Sequence, residues 1–164
     1  MEIAGVDFGM MGRVERASHF LDIWHKLTPE QLNELLPEIW VMAEWPGVMY
    51  PYDEWTTIFY EAFEAGFISD DGTERPTDYK TKVELYRAAT PDYIYGMGWT
   101  NNLETAKWFN NRNHTFGWKD SKIYKTVVPK GVILGIFNTR KEDEIIIDPE
   151  DAKFWGVEEL QENV

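Results

Sequence analysis

Residues 122–147 read KIYKTVVPKGVILGIFNTRKEDEIII, and this stretch decides the fold. Pro129-Lys130-Gly131 and the polar segment Asn138–Asp143 break it into three runs rich in β-branched residues. Each run predicts a strand: Lys122–Val128, Val132–Phe137 and Glu144–Ile147. The consecutive isoleucines 145–147 indicate that the last strand is buried on both faces. The stretch therefore predicts the strand-rich part of the protein.

The sequence before this stretch adds strands and one helix. Val83–Ala89 predicts a strand, and Tyr93–Thr100 is aromatic and punctuated by glycines. Asn101 and Asn102 are expected to cap a helix whose shared face carries Leu103, Ala106 and Phe109. After the stretch, Pro149–Leu160 predicts a short helix.

Residues 1–80 predict about three helices. Apolar residues recur at helical spacing around 13–27, and Thr28-Pro29-Glu30-Gln31 then supplies a capping box with a first-turn proline. Pro37 lies inside the helix that follows and is expected to kink or split it. A third helix is expected from about Asp53 to Phe63, with Gly66 as its stop.

Helices that precede strands, rather than alternating with them, predict an α+β fold. The polar segment Ser69–Tyr79 contains almost nothing that could be buried and marks the expected boundary. We therefore expect a helical segment at 1–68, a linker-like loop at 69–81 and a β-rich core at 82–164. The core lacks the βαβ rhythm and the third glycine of a dinucleotide-binding Rossmann fold.

The composition is that of a globular protein: 43% of the 164 residues are hydrophobic and 15% are aromatic. There are no cysteines, which excludes disulfides, a cysteine zinc site and a cysteine nucleophile. No secretion signal or membrane-spanning run is recognised, so a cytoplasmic protein without a membrane partner is expected.

The net charge is -13, and residues 1–80 contribute -11 of it. Residues 105–141 are locally basic, with eight Lys or Arg and one acid, which is typical of a solvated surface but would also suit a rim that attracts a phosphate-bearing ligand. Nucleic acid is disfavoured as a partner by the surrounding acidic field.

Three features could carry chemistry, and each has an ordinary structural explanation as well. Glu142 and Glu144 would point the same way from a strand, about 6–7 Å apart, but edge charges beside a strand are common. Arg87 interrupts an apolar run and needs a phosphate or carboxylate partner. Thr100 closes a strand just before a helix N-terminus, where anions are favoured, although a Trp-Thr pair also suits packing and capping. Trp99, Tyr93 and Tyr95 could form a stacking floor for a flat ring.

Taken together, these features resemble the Arg–Ser–Glu class of ADP-ribosyltransferases. The matching motifs are Tyr86-Arg87-Ala88, Gly98-Trp99-Thr100 with the helix that follows, and Glu142-Asp143-Glu144. The stretch from Gly96 through Val128-Pro129 to Asp148-Pro149 resembles the corresponding stretch in small phage and bacterial members of that family. The resemblance covers about residues 83–149, less than half of the chain. It implies an ADP-ribosyltransferase-like core, NAD as the substrate, a target protein as the acceptor, and no metal.

The resemblance also implies roles for individual residues. Arg87 would contact the NAD phosphates and ribose, and the backbone of Ala88 would hold the nicotinamide amide. Thr100 would orient Glu144, which would stabilise the oxocarbenium-like transition state while Glu142 helps the incoming nucleophile. The remaining residues that would line the NAD site are Tyr86, Trp99 and Phe109, with the loop Asn138–Lys141 facing the target.

Two positions depart from the family pattern. Gly98 stands where Ser or Thr is usual, and Ala88 stands where Gly or Ser is commoner. In this class, Glu-x-Glu goes with arginine as the acceptor, which makes a protein arginine the first expectation. An NAD glycohydrolase, a non-enzymatic acidic binder on a degenerate fold and, more distantly, a glycosidase using the paired carboxylates stay open as alternatives.

Overall fold

The computed structural model describes residues 2–3, 6–7, 12–43, 46–76, 78–138 and 143–161. The chain divides into two compact units, Met1–Gly72 and Thr73–Val164. The fold is α+β, as the sequence predicts, with helices in the first unit and a β-sheet in the second. No helix within the described ranges is long and apolar enough to cross a membrane.

The first unit opens with a hairpin that the sequence did not predict, followed by the expected helices. The two strands of the hairpin pair antiparallel through Glu2 with Asp7 and Ile3 with Val6. The elements in chain order are Glu2–Ile3 (β1), Val6–Asp7 (β2), Arg13–Ile23 (α1), Pro29–Met42 (α2), Pro46–Met49 (α3), Tyr52–Phe63 (α4) and Ile68–Ser69 (β3).

Helix α2 confirms the predicted capping box and corrects one expectation. The Thr28 side chain accepts a hydrogen bond from the Gln31 backbone N–H, and the Gln31 side chain accepts one from the Thr28 N–H. The expected split at Pro37 does not occur, because the helix continues to Met42. The buried face of the same helix explains this: burial of Leu32, Leu35, Leu36, Ile39 and Trp40 outweighs the hydrogen bond that a proline removes.

The core of the first unit is aromatic. Trp40 packs edge to face against Trp55 and Phe59, with ring centroids 5.1 and 5.2 Å apart. The Trp55 indole N–H donates to the Pro46 carbonyl at 2.8 Å, which satisfies the one polar group of a fully buried side chain. These two tryptophans are therefore core residues of the first unit.

The second unit is a β-sheet with two helices. Its elements are Lys82–Ala89 (β4), Gly98–Thr100 (β5), Leu103–Thr115 (α5), Lys122–Pro129 (β6), Gly135–Phe137 (β7), Glu144–Ile146 (β8), Pro149–Trp155 (α6) and Val157–Glu159 (β9). Within this unit the strand order is β7-β8-β5-β4-β6-β9, and every one of these neighbouring pairs is antiparallel.

Several strands differ in length from the sequence prediction. The expected strand Val132–Phe137 is shortened to β7, because Lys130–Val132 forms a 3-10 turn that the Gly131 N–H anchors to the Asp78 carbonyl. Of the glycine-containing segment Tyr93–Thr100, only β5 forms a strand. The predicted C-terminal helix ends at Trp155 and is followed by β9. Burial of Ile145, Ile146 and Ile147 is confirmed.

One row of directly paired residues runs across five neighbouring strands, from β8 to β9. Glu144 pairs with Thr100, Thr100 with Tyr86, Tyr86 with Lys125, and Lys125 with Glu158. Directly opposed residues of an antiparallel sheet point to the same face. We call these five residues the polar row. The opposite face carries a buried apolar patch, with Leu85, Trp99, Tyr124, Val128 and Ile145 among its residues.

Candidate active site

The sheet brings the three residues singled out in the sequence onto three neighbouring strands. Arg87 lies on β4, Thr100 on β5 and Glu144 on β8, and β5 is the central strand of the three. Thr100 is the direct partner of Glu144 on one side and of Tyr86 on the other. Residues that are more than forty positions apart in the chain are thereby placed next to one another.

The Glu144 carboxylate lies against the backbone of Gly98. A Cβ atom built onto Gly98 would lie only 2.6 Å from Glu144 Oε2 and 3.9 Å from Arg87 Nη1. Any larger residue at position 98 would therefore push the carboxylate away from this place. Because both distances are measured to the same point, the carboxylate and the guanidinium border the same small space. Arg87 and Glu144 therefore converge.

The Arg87 guanidinium is held in the same region by the backbone around Gly96. Its Nε–H donates to the Tyr93 carbonyl at 3.0 Å and its Nη1–H to the Gly98 carbonyl at 2.8 Å. A Cβ atom on Gly96 would lie 2.1 Å from Arg87 Nη2 and would therefore overlap with the guanidinium group. The Gly96 backbone is in turn fixed by the Trp99 indole N–H, which donates to the Gly96 carbonyl at 3.0 Å.

This packing accounts for the two glycines that the sequence left unexplained. Gly96 leaves room for the guanidinium of Arg87, and Gly98 leaves room for the carboxylate of Glu144. Strand alternation alone would put Arg87 on the face of Trp99, away from Thr100 and Tyr86. Its guanidinium nevertheless borders the carboxylate beside Gly98, and the absence of side chains at 96 and 98 leaves room for both groups.

Thr100 is buried and has a definite structural contact. Its Oγ1 accepts a hydrogen bond from the Asn102 backbone N–H at 3.1 Å, which joins the end of β5 to the start of α5. Its place opposite Glu144 is suited to the orienting role that the resemblance implies. That role stays a prediction.

Asn102 and Asp143 are site residues that sequence reasoning missed. Asn102 caps α5, as predicted, because its Oδ1 accepts from the backbone N–H groups of Glu104 and Thr105. Its Nδ2–H donates to Asp143 Oδ2 at 3.2 Å. Asp143 has a positive φ of 51°, a conformation that Asp tolerates better than most residues. One asparagine thus caps the helix and restrains the residue before Glu144.

The remaining predicted NAD-site residues have different surroundings. Trp99 is only 2% exposed, which leaves Tyr93 and Tyr95 as the exposed rings of the expected stacking surface. Ala88 is half-buried opposite Ile123, and Phe109 is half-buried with its ring edge to face against Trp108. Glu142 and residues 139–141 of the expected target-facing loop lie outside the described residues.

Tyr86 belongs to a small polar cluster next to the site. Its hydroxyl donates to Glu84 Oε2 at 2.9 Å, and Lys125 Nζ lies 3.3 Å from Glu84 Oε1. Burial raises the pKa of Tyr86, and the hydrogen bond to Glu84 raises it further. The hydrogen bond from Tyr86 and the neighbouring Lys125 hold the pKa of Glu84 below its ordinary value. Near neutral pH the phenol therefore keeps its proton and donates a hydrogen bond, and Glu84 is ionised.

The basic region 105–141 is less free than its sequence indicates. Three of its lysines already have carboxylate partners, in the pairs Lys107–Glu104, Lys122–Glu159 and Lys125–Glu84. The Arg112 guanidinium lies over the rings of Trp108 and Phe116. Arg140 and Lys141 lie outside the part of the chain that the structure describes. Among the described lysines, Lys125 is the one that stands on the polar row.

The arrangement beside Gly98 combines two complementary groups. A carboxylate can accept a hydrogen bond from a sugar hydroxyl and stabilise positive charge that develops on a sugar ring. A guanidinium has five N–H donors, so Arg87 can donate to a phosphate in addition to the Tyr93 and Gly98 carbonyls. A ligand that contains both a ribose and a phosphate would therefore meet a suitable partner for each.

Comparison of the chain with protein-family models, with curated proteins and with solved structures finds no match.

Proposed function

We propose that this protein is an NAD-dependent mono-ADP-ribosyltransferase that modifies a protein, with arginine as the first expected acceptor. The observation that supports the proposal most directly is the convergence of Arg87 and Glu144 beside Gly98. Thr100, directly opposite Glu144 on the central strand, completes the triad that the resemblance implies. A cytoplasmic location accords with NAD and a target protein as the reactants.

In the proposed reaction, the bond between C1′ of the nicotinamide ribose and the nicotinamide nitrogen breaks. The electron pair of that bond stays on nicotinamide, which leaves as the neutral base. Glu144 holds the ribose and stabilises the positive charge that develops on it. Arg87 contacts this ribose and its adjoining phosphate. A nitrogen of the acceptor guanidinium then forms the new bond to C1′ and releases its proton, and Glu142 is the residue that would assist this step.

The test measures nicotinamide release and transfer of labelled ADP-ribose in a bacterial lysate. We expect Glu144→Gln to lower both by about 100-fold or more, the usual effect of removing one electrostatic stabiliser of a transition state. Glu150→Gln is the matched control, since Glu150 is an exposed glutamate on α6 paired with Lys153. Equal activity of wild-type protein and Glu144→Gln would exclude the proposed site. Release without transfer would identify an NAD glycohydrolase.

The second candidate function is a non-enzymatic acidic binder. It is favoured by the charge of the first unit, in which residues 1–72 contain 14 acidic and three basic residues. Calorimetry distinguishes the two functions. Binding to a basic protein, together with no heat from millimolar NAD, would favour the binder, whereas heat from NAD that Arg87→Met removes would favour the transferase.

A further inference from the structure

The polar row extends well beyond the space between Arg87 and Glu144. Neighbouring strands lie about 4.8 Å apart, so the backbone of Lys125 is roughly 10 Å from that of Thr100 and roughly 14 Å from that of Glu144. The side chains of the row point to one face. A mononucleotide bound at Glu144 would not reach Lys125, whereas an extended dinucleotide is long enough to do so.

Lys125 is suited to bind an anion at the far end of this row. Its side chain is 22% exposed, and its carboxylate partner, the Glu84 side chain, is 58% exposed. Glu84 also accepts a hydrogen bond from the Tyr86 hydroxyl, so a ligand phosphate has to replace both contacts. Because an ion pair with such an exposed partner is weak, Glu84 can turn into solvent when the phosphate takes its place. The ammonium would then be available to a ligand phosphate. Once Glu84 has turned away, the Tyr86 hydroxyl, whose one proton is donated to Glu84 in the structure, would offer a second hydrogen-bond donor between Thr100 and Lys125.

Some of the residues around Lys125 are more typical of a nucleotide-binding site than of an open charged surface. Half-exposed Ala88 and Val127 stand on the same face as the row, on β4 and β6. The exposed Glu84 and Glu158 stand on this face too, on either side of Lys125. Apolar residues beside a few polar groups are typical of small-molecule sites. The ordinary alternative is a cross-strand ion pair that only stabilises the sheet. That alternative predicts no effect of Lys125 on ligand binding.

We infer that NAD lies along the polar row, with its nicotinamide ribose at Glu144 and a phosphate of its adenosine half at Lys125. The inference rests on the proposed function and adds to it a specificity residue for the adenylate half of the substrate. Glu84 then competes with the ligand phosphate for the same ammonium.

The test is calorimetry of the full chain with two fragments of NAD, ADP-ribose and nicotinamide mononucleotide. We expect Lys125→Met to weaken ADP-ribose binding about tenfold, the effect of losing one charge-assisted hydrogen bond. Lys125→Arg should keep most of the affinity. Glu84→Gln should strengthen ADP-ribose binding about twofold or more, because it removes the competing carboxylate. None of the three variants should change the affinity for nicotinamide mononucleotide.

Lys119→Met is the matched control, because Lys119 is an exposed lysine of the same basic region that does not stand on the polar row. Unchanged ADP-ribose affinity in Lys125→Met, with wild-type protein binding both fragments, would overturn the inference and leave the proposed function standing. Equal weakening for both fragments would also overturn it, since Lys125 would not then be specific to the adenylate half. Failure of wild-type protein to bind either fragment would overturn the proposed function and this inference together.

Discussion

Replacement of Gly96 by alanine tests the packing on which the candidate site depends. The new Cβ atom would lie 2.1 Å from Arg87 Nη2 and 2.2 Å from Cζ, so the guanidinium must move. Moving it breaks the hydrogen bonds to the Tyr93 and Gly98 carbonyls. Each bond from a charged donor is worth about 1.5–3 kcal/mol net. Because Arg87 is half-exposed, water replaces part of this loss, and we expect Gly96→Ala to lower the free energy of unfolding by about 2 kcal/mol.

Urea unfolding measured in a double-mutant cycle with Arg87→Ala isolates the contact. In the Arg87→Ala background the obstructing guanidinium is absent, and φ of Gly96 does not lie in the left-handed region. There Gly96→Ala should be neutral or should stabilise the protein by about 0.4–1 kcal/mol through the unfolded chain. An equal cost in both backgrounds would show that Gly96 does not accommodate Arg87, and would refute the reasoning.

Three further predictions concern neighbouring positions. Gly98→Ala and Gly98→Ser should both displace the Glu144 carboxylate and lower the rate of NAD cleavage, but the serine should retain more activity, because its hydroxyl can donate to the displaced carboxylate. Asn102→Asp keeps the oxygen that caps α5 but sets a carboxylate against Asp143, so activity should fall more than stability, whereas Asn102→Ala should also cost about 1 kcal/mol of stability. Glu84→Gln should lower stability slightly at pH 7, and this difference should disappear on acidification. The pKa of Glu84 is lowered in the folded state, so its stabilising effect is present above its ordinary value of 4.5 and is lost as the pH falls through the folded value.

Each of these predictions has a result that would contradict it. Serine and alanine at position 98 having equal activity would mean that the carboxylate takes no hydrogen bond there. Full NAD cleavage by Asn102→Asp, measured as nicotinamide release, would show that Asp143 does not influence Glu144. A stability difference for Glu84→Gln that persists in urea unfolding at pH 3 would mean that its ionisation is not the cause.

Much of the fold follows from local sequence signals. The capping box at Thr28, the cap at Asn102 and the burial of isoleucines 145–147 each depend on a few neighbouring residues, and each is present in the structure. The strand β9 and the short extent of β5 were not predictable in this way. Both depend on pairing partners, since β9 is a strand only because β6 offers it an edge.

The candidate site shows the same division between local and distant signals. Arg87 could be singled out because a charge interrupts an apolar run, and Glu144 because it enters a buried strand. The functions of Gly96 and Gly98 could not be predicted, because each is defined by a side chain from another strand that fills the missing Cβ position. The link from Asn102 to Asp143 spans 41 residues and depends on the antiparallel pairing of β5 with β8.

The two glycines also constrain how this sequence can change over generations. A side chain at position 96 costs stability unless Arg87 has first been replaced by a smaller residue, and one at position 98 requires Glu144 to adopt another rotamer. The order of substitutions therefore matters, and each glycine is expected to vary together with its partner rather than with its neighbours in the chain. Among descendants of this sequence, a glycine retained at 96 would accompany an intact arginine, and its loss would mark lineages in which the site has been abandoned.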